Sequence, residues 1–234
     1  MESKQVNIFD DYSDNYHQIL NKTLRISGEN TSYFASKRVH WLKQRIDHFF
    51  PEFSSNKILD FGCGTGDTIS IIKRAFNPEQ LIGIDLSRRN IELAIQNHNS
   101  KGISFFDIEN SPGNLNCDLA YCNGVFHHIP FNEREKAVKF VYNSLTREGI
   151  WAFWENNPWN PGAKYIMKKC PFDKDAISLS HLESKRLLKR NGFKIVDVSF
   201  CFIFPKAFEY LRVLEKPLSI LPIGAQYLIL AKKV

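Results

Sequence analysis

The chain has 234 residues, which is enough for one well-buried domain with additions and too short for two full-sized domains. Its apolar share of 43% and its charged share of 24% are those of an ordinary globular protein. No apolar run is long enough to cross a bilayer, and the polar, acidic N-terminus does not resemble a secretory signal. These properties argue against a membrane span and against a secreted precursor.

The net charge is +6, which is compatible with an anionic partner, but the basic residues are scattered along the chain. Several fall on the outer faces of predicted helices, so a solvated surface is favoured and no specific nucleic-acid partner is expected. Five cysteines without a Cys-x-x-Cys pair indicate a reducing compartment, and we interpret the protein as cytoplasmic. Cys117 and Cys122 lie an odd number of residues apart on one predicted strand, so we expect them on opposite faces.

The pattern of the N-terminal 50 residues predicts helices. Apolar side chains recur at helical spacing from Ile8 to Ile26, with Gly28 as a stop, and a second helix is predicted over 32–50, before Pro51. We interpret residues 1–50 as a helical lid on the domain formed by residues 51–234.

From residue 57 onward, short apolar strands alternate with helices, which predicts a parallel sheet covered on both faces. The predicted strands are 57–61, 81–85, 103–107, 117–122, 149–154, 193–204 and 226–233. The helices between them are predicted over 65–76, after Ser87, after Asn132 with Glu135 in a capping box, and from Ser180 with Glu183 to Gly192. The last two strands are joined only by a short helical excursion around 206–215, so this pair is expected to be antiparallel.

A glycine-rich turn follows the first strand. Asp60 ends the strand, and Gly62, Gly64 and Gly66 allow a tight turn whose bare backbone can approach a ligand. A P-loop would need a lysine and a hydroxyl after the last glycine, whereas Asp67 and Thr68 follow here. Acidic groups would repel a dinucleotide pyrophosphate, but they suit S-adenosylmethionine, which carries an ammonium and a sulfonium.

Two further carboxylates end the next two strands. Asp85 ends the second strand, where it can accept hydrogen bonds from both ribose hydroxyls. Asp107 ends the third, where it can receive the adenine amino group while Ile108 packs on the ring. A plain strand-to-helix turn would not explain three acidic residues at three successive strand ends.

Together with DLAYCNGVFHHIP at 118–130, these motifs resemble the class I S-adenosylmethionine-dependent methyltransferases, within the small-molecule group that carries an HH-I motif after strand four. The resemblance covers roughly 57–155. It implies an α/β, Rossmann-like, doubly wound, seven-stranded and mostly parallel sheet with the last strand antiparallel, plus an N-terminal helical lid. The expected cofactor-binding residues are Tyr16, Asp60, Gly62, Cys63, Gly64, Gly66, Asp85, Leu86, Asp107, Ile108, Asn123 and Gly124.

Two histidines, His127 and His128, follow strand four at the edge of the expected cofactor cleft. A histidine can remove the proton of an alcohol or amine acceptor near neutral pH, so both are candidate catalytic residues. A purely structural role is an equally weighted interpretation, since adjacent side chains rarely face one pocket. No metal is expected, because no third ligand at a suitable spacing is evident.

The acceptor side is expected to include the lid, through Tyr12, and the loop after strand five. The run Asn156-Asn157-Pro158-Trp159 superficially resembles the Asn-Pro-Pro-aromatic tetrapeptide of amino-group methyltransferases, but that motif belongs after strand four. The expected substrate-side residues are Tyr12, Glu155, Asn156, Asn157 and Trp159. The aromatic and proline-rich stretches 156–178 and 205–222 are open to three interpretations: an acceptor pocket, a homodimer face, or a cover for the sheet.

The predicted function is methyl transfer from S-adenosylmethionine to a small or medium-sized acceptor, at oxygen, by in-line displacement, with S-adenosylhomocysteine as product. Two alternatives stay open. One is a methyltransferase for RNA or protein, which only the basic charge suggests. The other is a module that binds the cofactor without turnover.

Overall fold

The computed structural model describes residues 16–98 and 100–234. Seven strands form one sheet in the order β3-β2-β1-β4-β5-β7-β6. The strands are β1 (Lys57–Phe61), β2 (Gln80–Asp85), β3 (Ile103–Asp107), β4 (Cys117–Asn123), β5 (Leu145–Asn156), β6 (Phe193–Cys201) and β7 (Gln226–Lys233). Neighbours among β1 to β5 run parallel, whereas β7 is antiparallel to both β5 and β6. The predicted α/β, Rossmann-like fold with an antiparallel last strand is confirmed.

Helices cover the sheet and connect its strands. They are α1 (Tyr16–Leu24), α2 (Thr31–Phe49), α3 (Ile69–Phe76), α4 (Arg88–Asn97), α5 (Arg134–Ser144), α6 (Pro161–Lys169), α7 (His181–Arg190) and α8 (Glu215–Leu218). Short 3₁₀ segments lie at Arg25–Ser27, Pro171–Asp173 and Lys206–Leu214. Within the described ranges, none of the helices is long and apolar enough to span a membrane.

The core lies on both faces of the sheet, because successive strand side chains point to opposite sides. On β5, Trp151 and Phe153 pack in one apolar cluster, and Trp154 packs in the other. Helix α2 covers the second face with Val39, Leu42 and Ile46, among other side chains. Burial of apolar surface contributes roughly 25 cal/mol per Å², so these large buried aromatic side chains stabilise the sheet strongly.

The strand order reverses between β1 and β4, since β2 and β3 continue to one side and β5 to the other. In open α/β sheets the crevice for a ligand lies outside the carboxyl ends of the strands at such a point. The fold therefore places the Gly62–Gly66 loop and the segment after Asn123 side by side.

Several element boundaries differ from those predicted. Helix α3 begins at Ile69 rather than at Thr65, because the glycine loop continues to Gly66, whose φ is 87°. Strand β6 ends at Cys201, since Phe202 adopts a positive φ of 62°. Strand β5 is longer than predicted, because β7 pairs with it as far as Asn156.

Two local predictions were wrong. Asn132 does not cap α5, which begins at Arg134 with Glu133 at its N-cap and no side-chain capping bond. Cys117 and Cys122 pack in the same apolar cluster rather than on opposite faces, because the pairing of β4 with β5 shifts register just after Cys117. In contrast, Ser180 does form the predicted capping box with Glu183.

Candidate active site

A cavity of about 1530 Å³ opens at the carboxyl ends of the central strands. Its wall includes the glycine loop at one end and the two histidines after β4 at the other. Leu20 and Leu24 of α1 also line it. The described part of the N-terminal segment therefore contributes directly to this cavity.

The glycine loop is held by the backbone of β2. The N–H groups of Gly62 and Cys63 both donate to the carbonyl of Ile84, at 2.7 and 3.0 Å. Gly62 has a φ of 76°, and a Cβ at this position would lie 2.2 Å from Cγ2 of Val125. Only glycine allows the loop to approach the segment after β4 this closely.

The other two glycines have different surroundings. A Cβ on Gly64 would meet nothing within 4 Å, and Gly64 lies on the cavity wall, so its bare backbone faces open space. Gly66 lies off the wall, and a Cβ there would be 2.6 Å from Cδ2 of His98. Gly66 therefore serves close packing against α4 rather than contact with a ligand.

Asp85 is anchored by the loops that it joins. Its Oδ2 accepts from Gly64 N at 2.9 Å, and its Oδ1 accepts from Ser87 N at 2.9 Å and from Asn90 Nδ2 at 3.4 Å. Burial raises the pKa of Asp85, while the hydrogen bonds from Ser87 and Gly64 oppose this rise. The carboxylate thus supports the loop and also faces the cavity, together with Leu86.

Asp60 is the most deeply buried of the three carboxylates, with 3% of its surface exposed. Burial, together with the charges of Asp85 and Asp67, raises its pKa to about 8, and the charge of Arg38 only partly opposes this rise. A cationic ligand group beside Asp60 would relieve this unfavourable concentration of negative charge.

Asp107 and Ile108 line the cavity at the end of β3. Both carboxylate oxygens of Asp107 accept from Asn110 Nδ2, at 3.0 and 2.9 Å, which lowers the pKa of Asp107. An ionised carboxylate has about four acceptor positions, so this contact leaves capacity for a further donor.

Three buried polar atoms of cavity-lining residues have no hydrogen-bond partner among the described residues, Arg38 Nε, Tyr121 Oη and Asn123 Oδ1. Buried polar groups are nearly always paired in folded proteins, so these three mark positions where a polar ligand fits. Gly124, the next residue, has a φ of 66° and donates its N–H to the carbonyl of Trp154.

At the other end, His127 is held by a buried carboxylate. Its Nδ1 lies 2.7 Å from Oε2 of Glu155, and Oε1 of Glu155 accepts from Phe126 N at 2.7 Å. His127 is 4% exposed and Glu155 is 1% exposed, so water screens this pair little. Glu155 lies behind His127 and off the cavity wall, which makes it a support for the histidine rather than a direct substrate contact.

Both histidines face the same cavity, contrary to the expectation that only one would. Their ring centroids are 4.1 Å apart, and the Nε2 atoms of His127 and His128 each lie 3.4 Å from Oδ1 of Asp173. Asp173 ends the 3₁₀ segment Pro171–Asp173, far away in the sequence, and it also lines the cavity. The fold therefore supplies the third polar group that the sequence did not reveal.

The two imidazoles have opposite charge preferences. Burial lowers the pKa of His127, but the charge of Glu155 and the hydrogen bonds to Asp173 and Glu155 outweigh it and raise the pKa to about 10. Burial and the neighbouring His127 lower the pKa of His128 to about 4. At neutral pH the arrangement therefore pairs a cationic His127 with a neutral His128.

The expected substrate-side residues after β5 are separated by the fold. Asn156 lies on the cavity wall, and its Oδ1 accepts from Gln226 Nε2 at 2.9 Å. Asn157 is fully buried and donates to the carbonyls of Pro222 and Gly224, so it fixes the return loop instead. Trp159 lies off the wall, 51% exposed and stacked edge-on with His181.

Two lid residues cannot be placed. Tyr12 lies outside the described residues, and only the backbone of Tyr16, at the start of α1, is described. Ala163, Ile166, Met167 and Phe172 of the wall lie in the stretch 156–178, for which an acceptor pocket was one of the three interpretations. Sequence reasoning did not assign several other residues to the wall, namely Leu20, Leu24, Arg38, Asp173, Phe202 and Gln226. Helical spacing could have indicated Leu20 and Leu24, but only tertiary contacts reveal the others.

The fold and the site define a class I S-adenosylmethionine-dependent methyltransferase: a seven-stranded sheet with an antiparallel last strand, a glycine loop after β1, and carboxylates ending β1, β2 and β3. A family model described as a methyltransferase domain matches residues 34–198. The chain belongs to this methyltransferase family.

Curated relatives match part of the chain. An uncharacterized protein of Rickettsia prowazekii (strain Madrid E) is 29% identical over 153 residues, covering 59% of this chain and 60% of the relative. A malonyl-[acyl-carrier protein] O-methyltransferase of Bacillus anthracis is 25% identical over 140 residues, covering 58% of this chain and 51% of the relative. The chain thus spans about half to three fifths of the length of these curated relatives.

Solved structures share the fold along most of the chain. An S-adenosylmethionine-dependent methyltransferase of Thermotoga maritima, described as a possible histamine N-methyltransferase, has a TM-score of 0.63 at 20% identity. It covers 97% of this chain and 99% of its own. The geranyl diphosphate C-methyltransferase of Streptomyces coelicolor, in complex with S-adenosyl-L-homocysteine, has a TM-score of 0.59 at 14% identity, covering 83% and 76%.

The cofactor is S-adenosylmethionine, and the residues of the cavity fit it. The open backbone at Gly64 gives space for a ligand, and the unpartnered Asn123 Oδ1 can accept a hydrogen bond. The buried Asp60 suits a cationic group such as an ammonium, and Arg38 Nε suits a carboxylate. The individual contacts of the cofactor-binding residues stay predictions.

Proposed function

We propose that this methyltransferase acts on an oxygen of a small or medium-sized acceptor, bound where the cavity reaches His127 and His128. One observation carries this proposal. The cavity wall that carries the predicted cofactor residues also carries the converging polar groups of His127, His128 and Asp173 beside apolar side chains, which is the usual composition of a small-molecule site. The apolar part of that wall includes Leu20, Leu24, Ala163, Ile166, Met167 and Phe172.

The choice of oxygen has two supports. First, the imidazoles of His127 and His128 and the carboxylate of Asp173 offer partners for a hydroxyl or another oxygen group. Second, relatives in Bacillus anthracis and Acetivibrio thermocellus are named malonyl-[acyl-carrier protein] O-methyltransferases, at 25% and 32% identity. Their names state oxygen as the methylated atom.

In this proposal the chain's own residues orient the acceptor and exclude water. When bound, S-adenosylmethionine supplies an electrophilic methyl group. His127, fixed by Glu155, and the neutral His128 hold the acceptor oxygen, while Asn156 forms a polar side wall. Both histidines are thereby assigned to the chemistry rather than to packing alone.

The transfer reaction itself tests the proposal. The pure protein is incubated with methyl-labelled S-adenosylmethionine and, in parallel, with small-molecule extract, total RNA and a protein pool. We expect label in the small-molecule fraction, attached to oxygen by NMR, and none with Asp85→Ala, which removes a predicted cofactor contact. Label in RNA or protein would overturn the hypothesis of a small-molecule acceptor. Binding of S-adenosylhomocysteine without any methyl transfer would favour a module that binds the cofactor without turnover.

We further propose that the part of the N-terminal segment before α2, up to Gly28, closes over the cofactor as a lid, since Leu20 and Leu24 line the cavity whereas α2 packs in the core. Deleting residues 1–28 should leave the sheet folded, because the core clusters use α2 but no described residue of α1. S-adenosylmethionine affinity, measured by calorimetry, should then fall by about tenfold or more, equivalent to about 1.4 kcal/mol. Unchanged affinity would contradict the lid.

A further inference from the structure

The cluster of His127, His128 and Asp173 has the dimensions of a metal site. Oδ1 of Asp173 lies 3.4 Å from Nε2 of each histidine, and one ligand atom from each residue lies within 4.8 Å of the other two. Two ligand atoms about 2.1 Å from one zinc ion at a tetrahedral angle are roughly 3.4 Å apart. The side chains therefore need little movement to share one ion.

The residues around the cluster orient its ligands. Glu155 Oε2 is 2.7 Å from His127 Nδ1, so this contact holds the ring with Nε2 directed at the cluster, and a bound ion would take the place of the proton on Nε2. In protein metal sites, the outer nitrogen of a ligating histidine commonly contacts a carboxylate, which fixes the orientation of the ring. On the other side, the N–H of Asp173 donates to the carbonyl of Cys170 at 3.2 Å.

A buried arginine joins the two chain segments that carry these ligands. Arg134 is 5% exposed, and it donates to the carbonyls of Ile129 and Ile177 at 2.9 and 2.6 Å. Ile177 N in turn donates to the carbonyl of His127 at 2.8 Å. The loop after β4 and the segment after Asp173 are therefore fixed to each other before any ion binds.

The charge of the cluster also favours a cation. Glu155 and Asp173 are two carboxylates in contact with the same imidazole. A divalent ion would balance both carboxylates. All three ligand side chains line the cavity, which leaves the remaining coordination position open to it, as in catalytic rather than structural metal sites.

We propose that His127, His128 and Asp173 bind one divalent transition-metal ion of the zinc class, whose open position takes an oxygen of the acceptor. Metal binding stands on the geometry above, whereas the contact with the acceptor rests on the proposed function. No metal was expected from the sequence, because Asp173 is distant along the chain and lies in a 3₁₀ segment without a motif.

Metal binding can be tested without any activity measurement. Full-length protein is stripped with a chelator and titrated with Zn²⁺ and Mn²⁺ by calorimetry, with metal content determined by mass spectrometry. We expect one equivalent of Zn²⁺, a loss of affinity of a hundredfold or more in Asp173→Asn and in His128→Gln, and a 10- to 100-fold loss in Glu155→Gln. His40→Gln, an exposed histidine on α2, is the matched control and should bind like the unaltered protein.

The outcomes separate the possibilities. Circular dichroism and S-adenosylhomocysteine affinity establish that each variant is folded. Absence of stoichiometric metal binding would overturn the metal site. Equal metal affinity in Asp173→Asn and the unaltered protein would also overturn it, because the ion would then bind elsewhere, for example on cysteines. A shift in the visible spectrum of the Co²⁺ form on addition of a methylated acceptor would support the acceptor contact. Full methyl transfer to oxygen by metal-free protein would overturn that contact and leave the proposed function intact.

Discussion

The two ends of the cavity are built in different ways. The cofactor end is built around one continuous loop, from Asp60 to Gly66, held by backbone hydrogen bonds to Ile84 and by Asp85. The acceptor end consists of side chains from three separate segments, the loop after β4, the end of β5, and the 3₁₀ segment that ends at Asp173. The first is specified by local sequence, whereas the second exists only once the sheet has assembled.

This difference implies different sensitivities to mutation. The cofactor end depends on the absence of side chains, so added atoms should damage it. The acceptor end depends on a buried ionic cluster, so removal of one partner should damage it, because the remaining charge is left without compensation.

The largest loss of stability is expected at the acceptor end. Glu155→Ala removes the partner of His127 and the acceptor of Phe126 N, and breaking such a buried pair costs about 3 to 5 kcal/mol. Urea unfolding gives the free energy of unfolding. Glu155→Gln keeps an oxygen for Phe126 N and should lose less. If both variants lost under about 1 kcal/mol, the pair would not have the buried, ionic character described here.

At the cofactor end, two glycines form a matched pair. Gly62→Ala should cost about 1 to 2 kcal/mol for the left-handed backbone and about 1 to 3 kcal/mol more for overlap with Val125. Gly64→Ala should pay only the backbone term, but its methyl group enters open space on the cavity wall and should weaken S-adenosylhomocysteine binding. Urea unfolding of both variants would measure the loss of stability, which should be larger in Gly62→Ala. Calorimetry would measure S-adenosylhomocysteine affinity, which should fall in Gly64→Ala. Equal losses of stability would contradict the role assigned to Val125.

The cofactor end should also respond to pH through Asp60. Its folded pKa, about 8, lies above its usual value, so the protonated form stabilises the fold; this contribution is complete below about pH 4 and is lost as pH rises through about 8. A cationic ligand favours the ionised form, so S-adenosylmethionine affinity should rise up to about tenfold from pH 6 to pH 7. Calorimetry on Asp60→Asn should give a flat profile, and a slope that persisted in this variant would assign the titration to another group.

The smallest expected effect on stability comes from substitutions at the N-termini of two helices, α7 and α5. Ser180→Ala removes the capping box of α7 and should cost about 1 kcal/mol, whereas Asn132→Ala should change stability by less than about 0.5 kcal/mol, because Asn132 does not cap α5. Thermal unfolding distinguishes the two. A loss of about 1 kcal/mol in the free energy of unfolding for Asn132→Ala would indicate that Asn132 caps α5, as the sequence predicts.

What the sequence could predict follows the same division. The mostly parallel sheet, the antiparallel β7, the glycine loop and Asp85 could all be predicted from the sequence. Hydrophobic periodicity, turn residues and carboxylates at strand ends are local signals. Asp173, Arg38 and Gln226 could not be predicted, because their place in the cavity depends on segments that meet only in the folded chain. The run Asn156-Asn157-Pro158-Trp159 shows the limit most clearly, since only Asn156 reaches the wall, while Asn157 is buried and Trp159 faces outward.

The position of β7 has a consequence for the order in which the chain can fold during synthesis. β7 follows β5 and β6 along the chain, yet it lies between them in the sheet and pairs with both. Until residues 226–233 have left the ribosome, β5 presents the apolar run Trp151 to Trp154 along an open edge, and β6 has no neighbour to pair with. Nascent chains paused before Gln226 would therefore be the species most prone to edge-to-edge association and most in need of a chaperone.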